Sequence, residues 1–169
     1  SVQFRTETVD CDTFGLNTGF TSVWHFKTEG EPDLSDARLV IERPWLWKVM
    51  INGNKVTAEA GKWWFDKDFG VYKCNSYIRN GENTITVSSE QMSIHAEIEP
   101  IYILGTFSLK SAARGWIITP PPSGYTTGSW KEQGMPFYPD RISYTKEFEV
   151  TGEYDNYLLK LGNWKGTIA

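Results

Sequence analysis

The chain has 169 residues, enough for one compact domain or for one domain and part of a second. Its 17 basic and 21 acidic residues leave a formal charge of -4, and without a Lys/Arg run to track a phosphate backbone, nucleic acid is not an expected partner. No stretch approaches the ~20 consecutive apolar residues that span a bilayer, and the opening SVQFRTETVD lacks the basic start and apolar core of a secretion signal. No membrane contact is expected, and the chain reads as untargeted, already processed, or cut from something larger.

In chain order, period-2 alternation marks strands at 22–28, 37–43, 46–52, 63–66, 70–73, 84–88, 93–104, 107–110, 116–119, 143–150 and 157–161. The turns between them carry residues that tolerate positive φ: Asn52-Gly53-Asn54, Arg79-Asn80-Gly81-Glu82-Asn83 and Val150-Thr151-Gly152-Glu153. No window keeps a helical period. Short, numerous strands predict an all-β chain, an antiparallel β-sandwich of the jelly-roll kind.

The segment 111–141 breaks the pattern. Pro120-Pro121-Pro122-Ser123-Gly124 removes backbone donors in succession, and the aromatic residues Tyr125, Trp130, Phe137 and Tyr138 in and after it favour an ordered crossing loop over a flexible linker. The organisation expected is therefore a sandwich over 1–110, a crossing loop or linker over 111–141, and the opening strands of a second sandwich over 142–169. The second unit repeats the order of the first. Ser22 to Lys27, Arg38 to Glu42 and Trp45 to Lys48 have counterparts at Tyr144 to Val150, Tyr157 to Leu161 and Trp164 to Ile168. The first copy runs on into Val49-Met50-Ile51-Asn52-Gly53 and the second stops before that point, so the second unit is expected to be truncated.

Aromatic content is the compositional outlier, 8 Trp, 8 Tyr and 9 Phe against two His and two Cys. Cys11 and Cys74 allow one disulfide or two unpaired thiols, and the second is favoured because a core of this size needs no staple. The carboxylate pairs Asp66/Asp68, Glu97/Glu99 and Glu147/Glu149 have the i, i+2 spacing that puts both on one strand face. Such pairs usually mark its wet side, and no catalytic residue is assigned. His25 and His95 stand on strand patterns without acids or cysteines at metal spacing, so neither a metal nor a cofactor is expected.

Sugar recognition is the stronger signal, since an indole stacks on the C–H face of a pyranose while polar groups take its hydroxyls. Trp63, Trp64, Asp66 and Asp68, with Lys67 between the acids, supply both kinds of group within one short segment. Trp130, beside Lys131 and Glu132, is a further candidate, equally suited to clamping two sandwiches together. Trp45 and Trp47, read as sharing a strand face across Leu46, are a weaker one, and in each pair one Trp is expected to serve the core.

The succession of an aromatic strand, a Leu-rich strand, WKVMINGNKV at Trp47 to Val56, WWFDKDFGVYKCNSYI and RNGENTITVSS at Arg79 to Ser89 resembles the galactose-binding-like jelly roll of glycoside hydrolases. It is most similar to the sugar-binding sandwich of family 2 and of family 106 α-L-rhamnosidases. IEPIYILGTFSL and GSWKEQGMPFYPDRISYTKEFEV look like the passage between consecutive sandwiches in those enzymes. Lys73-Cys74-Asn75 departs from the acidic residue often found before the Gly-Glu-Asn turn, so no ligand or calcium role is carried to that position. The resemblance implies a noncatalytic, carbohydrate-associated domain of a larger, periplasmic or secreted glycoside hydrolase whose catalytic carboxylates lie on another domain. Its partners would be the other domains of that enzyme and a glycan, with bracing of the catalytic domain slightly preferred over glycan binding. An independent lectin-like or cell-surface module is the alternative, and an enzyme acting within the chain the third class.

Overall fold

A computed structural model describes residues 14–158, 160 and 162. The chain divides after Pro139 into two compact units. Among the described residues the first carries ten strands: β1 (Thr21–Thr28), β2 (Arg38–Glu42), β3 (Lys48–Ile51), β4 (Asn54–Val56), β5 (Trp63–Trp64), β6 (Asp66–Lys73), β7 (Gly81–Ser88), β8 (Tyr102–Leu104), β9 (Ser108–Ser111) and β10 (Trp116–Thr119). Among the described residues there is no α-helix, only a 3₁₀ turn at Pro44–Leu46. The chain is nearly all β.

The strands form a six-stranded sheet in the order β4-β3-β7-β1-β10-β9 and a four-stranded sheet in the order β5-β6-β2-β8. The smaller sheet is antiparallel throughout. The larger is mixed, because β1 pairs in parallel with β10 through Lys27 with Ile117 and Thr28 with Ile118. The expectation of purely antiparallel strands is corrected there: β9 and β10 form a late hairpin whose second strand runs alongside β1 in the same direction.

Alternation sends one set of side chains from each sheet into a common core. Leu39 and Ile41 of β2 and Tyr72 of β6 join Val49 and Ile51 of β3, Val56 of β4, and Ile85 and Val87 of β7, with Ala37 and Cys74 at strand ends. Cys74 is buried with a free thiol, and burial pushes that thiol up to about 11. Cys11 lies outside the described residues.

Four strand predictions need revision. The run from Leu46 begins later, since Pro44 at the first position of a 3₁₀ turn takes Trp45 and Leu46 out of the ladder. Trp45 and Trp47 therefore do not share a strand face. Trp45 is exposed, whereas Trp47 packs edge-on to Phe20 at 5.5 Å and donates its Nε1–H to the Glu42 carbonyl. The long run 93–104 shortens to β8, because Ser93 closes a turn in which its Oγ accepts from His95 N and its carbonyl accepts from Ala96 N. In the second unit, residues 143–150 are irregular, as are 157, 158 and 160, so the opening strands expected there are absent among the described residues. Alternation is present in 143–150, but among the described residues no partner strand supplies a ladder. The counterpart at 164–168, and residues 159 and 161, lie outside the described residues.

Within the first unit the segment after β10 turns back on the larger sheet. Gly134 O accepts from Leu109 N of β9, Trp116 meets Phe137 at 5.5 Å, and Trp130 meets Tyr138 at 6.1 Å.

Candidate functional site

The segment Trp63 to Lys73 folds as a tight hairpin on the edge of the four-stranded sheet, with Trp63 opposite Gly70 and Trp64 opposite Asp66. The register shift between these pairs is a bulge, which re-aims side chains at a sheet edge. Asp66 Oδ1 accepts from Asp68 N, closing the bulge locally, and Asp68 O accepts from Arg43 N. At the tip Phe65 has φ 68° and is 82 % exposed. A left-handed conformation costs a bulky L-residue roughly 1–2 kcal/mol, and it is Gly or Asn that usually adopts it.

The rings around this tip form one cluster. Trp64 lies 6.0 Å from Phe65, 6.3 Å from Phe69 and 5.4 Å from Tyr102, and Phe69 and Tyr102 are 6.4 Å apart. The cluster sits on the face of the sheet away from the core. Leu39 and Ile41 point inward, so Val40 points outward, with Val71 and Tyr102 as its cross-strand neighbours. Val40 is nonetheless fully buried. Phe69, Tyr102 and Trp64 thus make a second, smaller apolar layer on this face, and Phe65 projects beyond it.

Trp63 and Trp64 occupy successive positions of a two-residue strand, which directs them to opposite sides. Both are exposed, 54 % and 38 %. They do not make one platform; Trp64 shares its platform with Phe65, Phe69 and Tyr102, none of which stands out as a sugar contact in the sequence. The i, i+4 spacing of Phe65 and Phe69 carries no helical meaning in a β chain, and Tyr102 joins only through the pairing of β8 with β2. Asp66, Lys67 and Asp68 are exposed directly after the hairpin's tip. Trp130 lies elsewhere in the unit, in the turn that docks on β9 of the other sheet.

The two turns prominent in the sequence do structural work. Asn52 and Gly53 have φ 49° and 80° and join β3 to β4 as a two-residue hairpin loop. The Asn52 side chain donates to Tyr77 O and to Asn83 Oδ1, both at 2.8 Å, and its Oδ1 accepts from Thr84 N at 2.9 Å. Asn83, 1 % exposed, donates to Arg79 O at 2.7 Å and Gly81 O at 2.9 Å and accepts from Arg79 N at 2.9 Å. Thr28 Oγ1 adds a bond to Arg79 O at 2.8 Å. Every hydrogen-bonding group of the two amides points at the chain, leaving nothing to offer a ligand.

Among the described residues no group of three or more His, Cys, Asp or Glu is arranged to hold a metal ion, and no helix is long and apolar enough to cross a membrane. His25 and His95 are both exposed. Set against known proteins, the chain matches no family model, no curated protein and no solved structure.

Proposed function

We propose that the first unit is a noncatalytic, carbohydrate-associated β-sandwich of the galactose-binding-like jelly-roll type, belonging to a larger glycoside hydrolase and touching glycan weakly through its β5–β6 hairpin. The fold part of this reading is supported by the order in which the chain visits the sheets. Apart from the hairpins β3–β4, β5–β6 and β9–β10, it passes to the other sheet at every step, and both sheets feed one core, as sandwich and jelly-roll chains do.

The observation that carries the glycan part is Phe65, an exposed aromatic ring held in a strained conformation over a cluster of rings, with Asp66, Lys67 and Asp68 beside it. Strain of this kind persists where surroundings over-determine it, and it concentrates at ligand contacts. The rings supply apolar faces for sugar C–H groups. The charged side chains supply donors and acceptors for hydroxyls. The rings are inclined by 44–87° to one another, so they suit a single soluble chain rather than a flat crystalline surface.

With few groups involved, binding should lie near ~1 mM, about -4 kcal/mol. The test is an NMR titration of the chain with rhamnose-, galactose- and glucose-type oligosaccharides, observing the Trp indole N–H signals. Shifts at Trp63 and Trp64 that vanish in Phe65→Gly are expected. Response only at Trp130, or no response to any glycan, would remove the hairpin as a sugar site and leave the bracing role alone.

A further inference from the structure

At the other end of the four-stranded sheet, an open polar cleft of ≈ 340 Å³ lies between the β1–β2 loop and the β6–β7 loop. Its volume falls in the roughly 300–1,000 Å³ range of small-molecule sites. Glu31 and Ser35 line it from the first loop, and Asn75, Ser76, Arg79 and Asn80 from the second, with Thr28 at the end of β1 and apolar contact from Pro32, Leu34 and Ile78. The six polar loop residues are exposed, whereas Thr28 is buried with its hydroxyl donated to Arg79 O.

We infer that this cleft is a second ligand site, one that holds the hydroxyl groups of a neutral saccharide by hydrogen bonds. The inference takes its ligand class from the carbohydrate reading above but rests on other residues. One carboxylate and one guanidinium offset each other, so neither an anion nor a cation meets a site of matching sign. The two amides and two hydroxyls each donate and accept, the combination that adjacent sugar hydroxyls require. No aromatic ring lines the cleft, so the ligand is gripped at its polar edge rather than stacked.

Two features mark the cleft as built. Its second wall is fixed by backbone bonds already satisfied within the protein: Tyr77 N and Ile78 N both donate to Cys74 O, and the Asn52–Asn83 network holds Tyr77 O and both polar backbone groups of Arg79. Asn75 Nδ2 reaches across to Ser35 O at 3.4 Å, tying the walls together. A wall so fixed presents its side chains without further ordering on binding. The first wall contains Glu31 at φ 55°, directly after Gly30 at φ 73°. Glutamate is a poor residue for that conformation where glycine would serve at no cost, and the strained residue is the one that brings the carboxylate to the cleft.

The test is a ¹H–¹⁵N titration of the whole chain with methyl galactoside, methyl glucoside, methyl mannoside and rhamnose, and separately with inorganic phosphate. The side-chain amides of Asn75 and Asn80 and the backbone amides of Ser76 and Arg79 should move with at least one sugar and not with phosphate. Glu31→Gly removes the carboxylate while suiting the backbone, and with Asn80→Ala it should weaken the cleft response about tenfold or more without touching the indole signals of the hairpin. Phe65→Gly should do the reverse. Shifts confined to the hairpin would overturn the cleft and leave the hairpin reading standing, and shifts confined to the cleft would do the opposite. Response to phosphate alone, or undiminished response in the double variant, would also overturn the inference.

Discussion

The two ends of β6 are built on opposite plans. At its start, around Trp63 to Asp66, aromatic side chains are exposed and the backbone at Phe65 is strained. Past its end, around Cys74 to Asn83, the side chains of buried Asn83 and half-buried Asn52 hold the backbone by their hydrogen bonds. Apolar groups in water and polar groups inside each run against the usual partition, but only the second inversion is compensated. Buried amides that satisfy every neighbour stabilise the loop they hold. Exposed rings on a left-handed residue contribute little to folding, so changes at the ring end should alter binding and changes at the amide end should alter stability.

The largest effect should come from Asn83→Ala. It leaves Arg79 N without a partner and breaks the bonds to Arg79 O, Gly81 O and Asn52, and should lower unfolding free energy by about 3 kcal/mol in urea denaturation. A loss below about 1 kcal/mol would break the contrast. A second sharpening is by pH. The Cys74 thiol is raised to about 11 and the Tyr72 hydroxyl to about 12, in both cases by burial. Both are neutral when folded and ionise more easily when unfolded, so their contribution is complete at neutral pH. The thiol's share falls as pH rises from about 9 toward 11, where the unfolded thiol has already lost its proton. Cys74→Ala should flatten that part of the alkaline decline, by on the order of 2 kcal/mol across the window.

Next comes Gly70→Val, at the ring end but beneath it. An added Cβ would stand 2.5 Å from Pro44 Cγ, and forcing the 3₁₀ turn away should cost about 2 kcal/mol, readable as a lowered melting temperature. The smallest effect has the opposite sign. Phe65→Gly should gain about 1 kcal/mol by relieving the left-handed strain, with little packing lost from a ring already in water. A destabilised Phe65→Gly protein would mean the ring serves the fold, and the ring end would no longer differ in kind from the amide end.

Local chemistry is the legible part of this chain. Asn52-Gly53 announces a two-residue turn because few residues accept two positive φ angles in a row, and alternation locates β1, β2 and β10 to within a residue or so. What escapes depends on pairing at a distance. Asn83 is visible as a turn residue, but its inward direction follows from β7 lying between β1 and β3. Phe65 is invisible as a turn residue because propensity argues against an aromatic there. The cleft joins Glu31 to Arg79 through two loops that only the finished sheet brings face to face. The strand expected at 143–150 is not formed, and among the described residues none pairs with it; an alternating pattern makes a strand possible and only a partner makes it one.

The parallel pairing of β1 with β10 has a consequence for the order in which the chain assembles. β1, near the start of the described chain, ends up between β7 and β10, both of which come much later. During synthesis it can join neither neighbour until most of the first unit has been made. Its ladder requires the closure of two long loops, a cost that must be met before the pairing returns anything. Until β7 is made both edges of β1 are open to another chain, and one stays open until β10 pairs, an interval in which pairing between chains competes with folding.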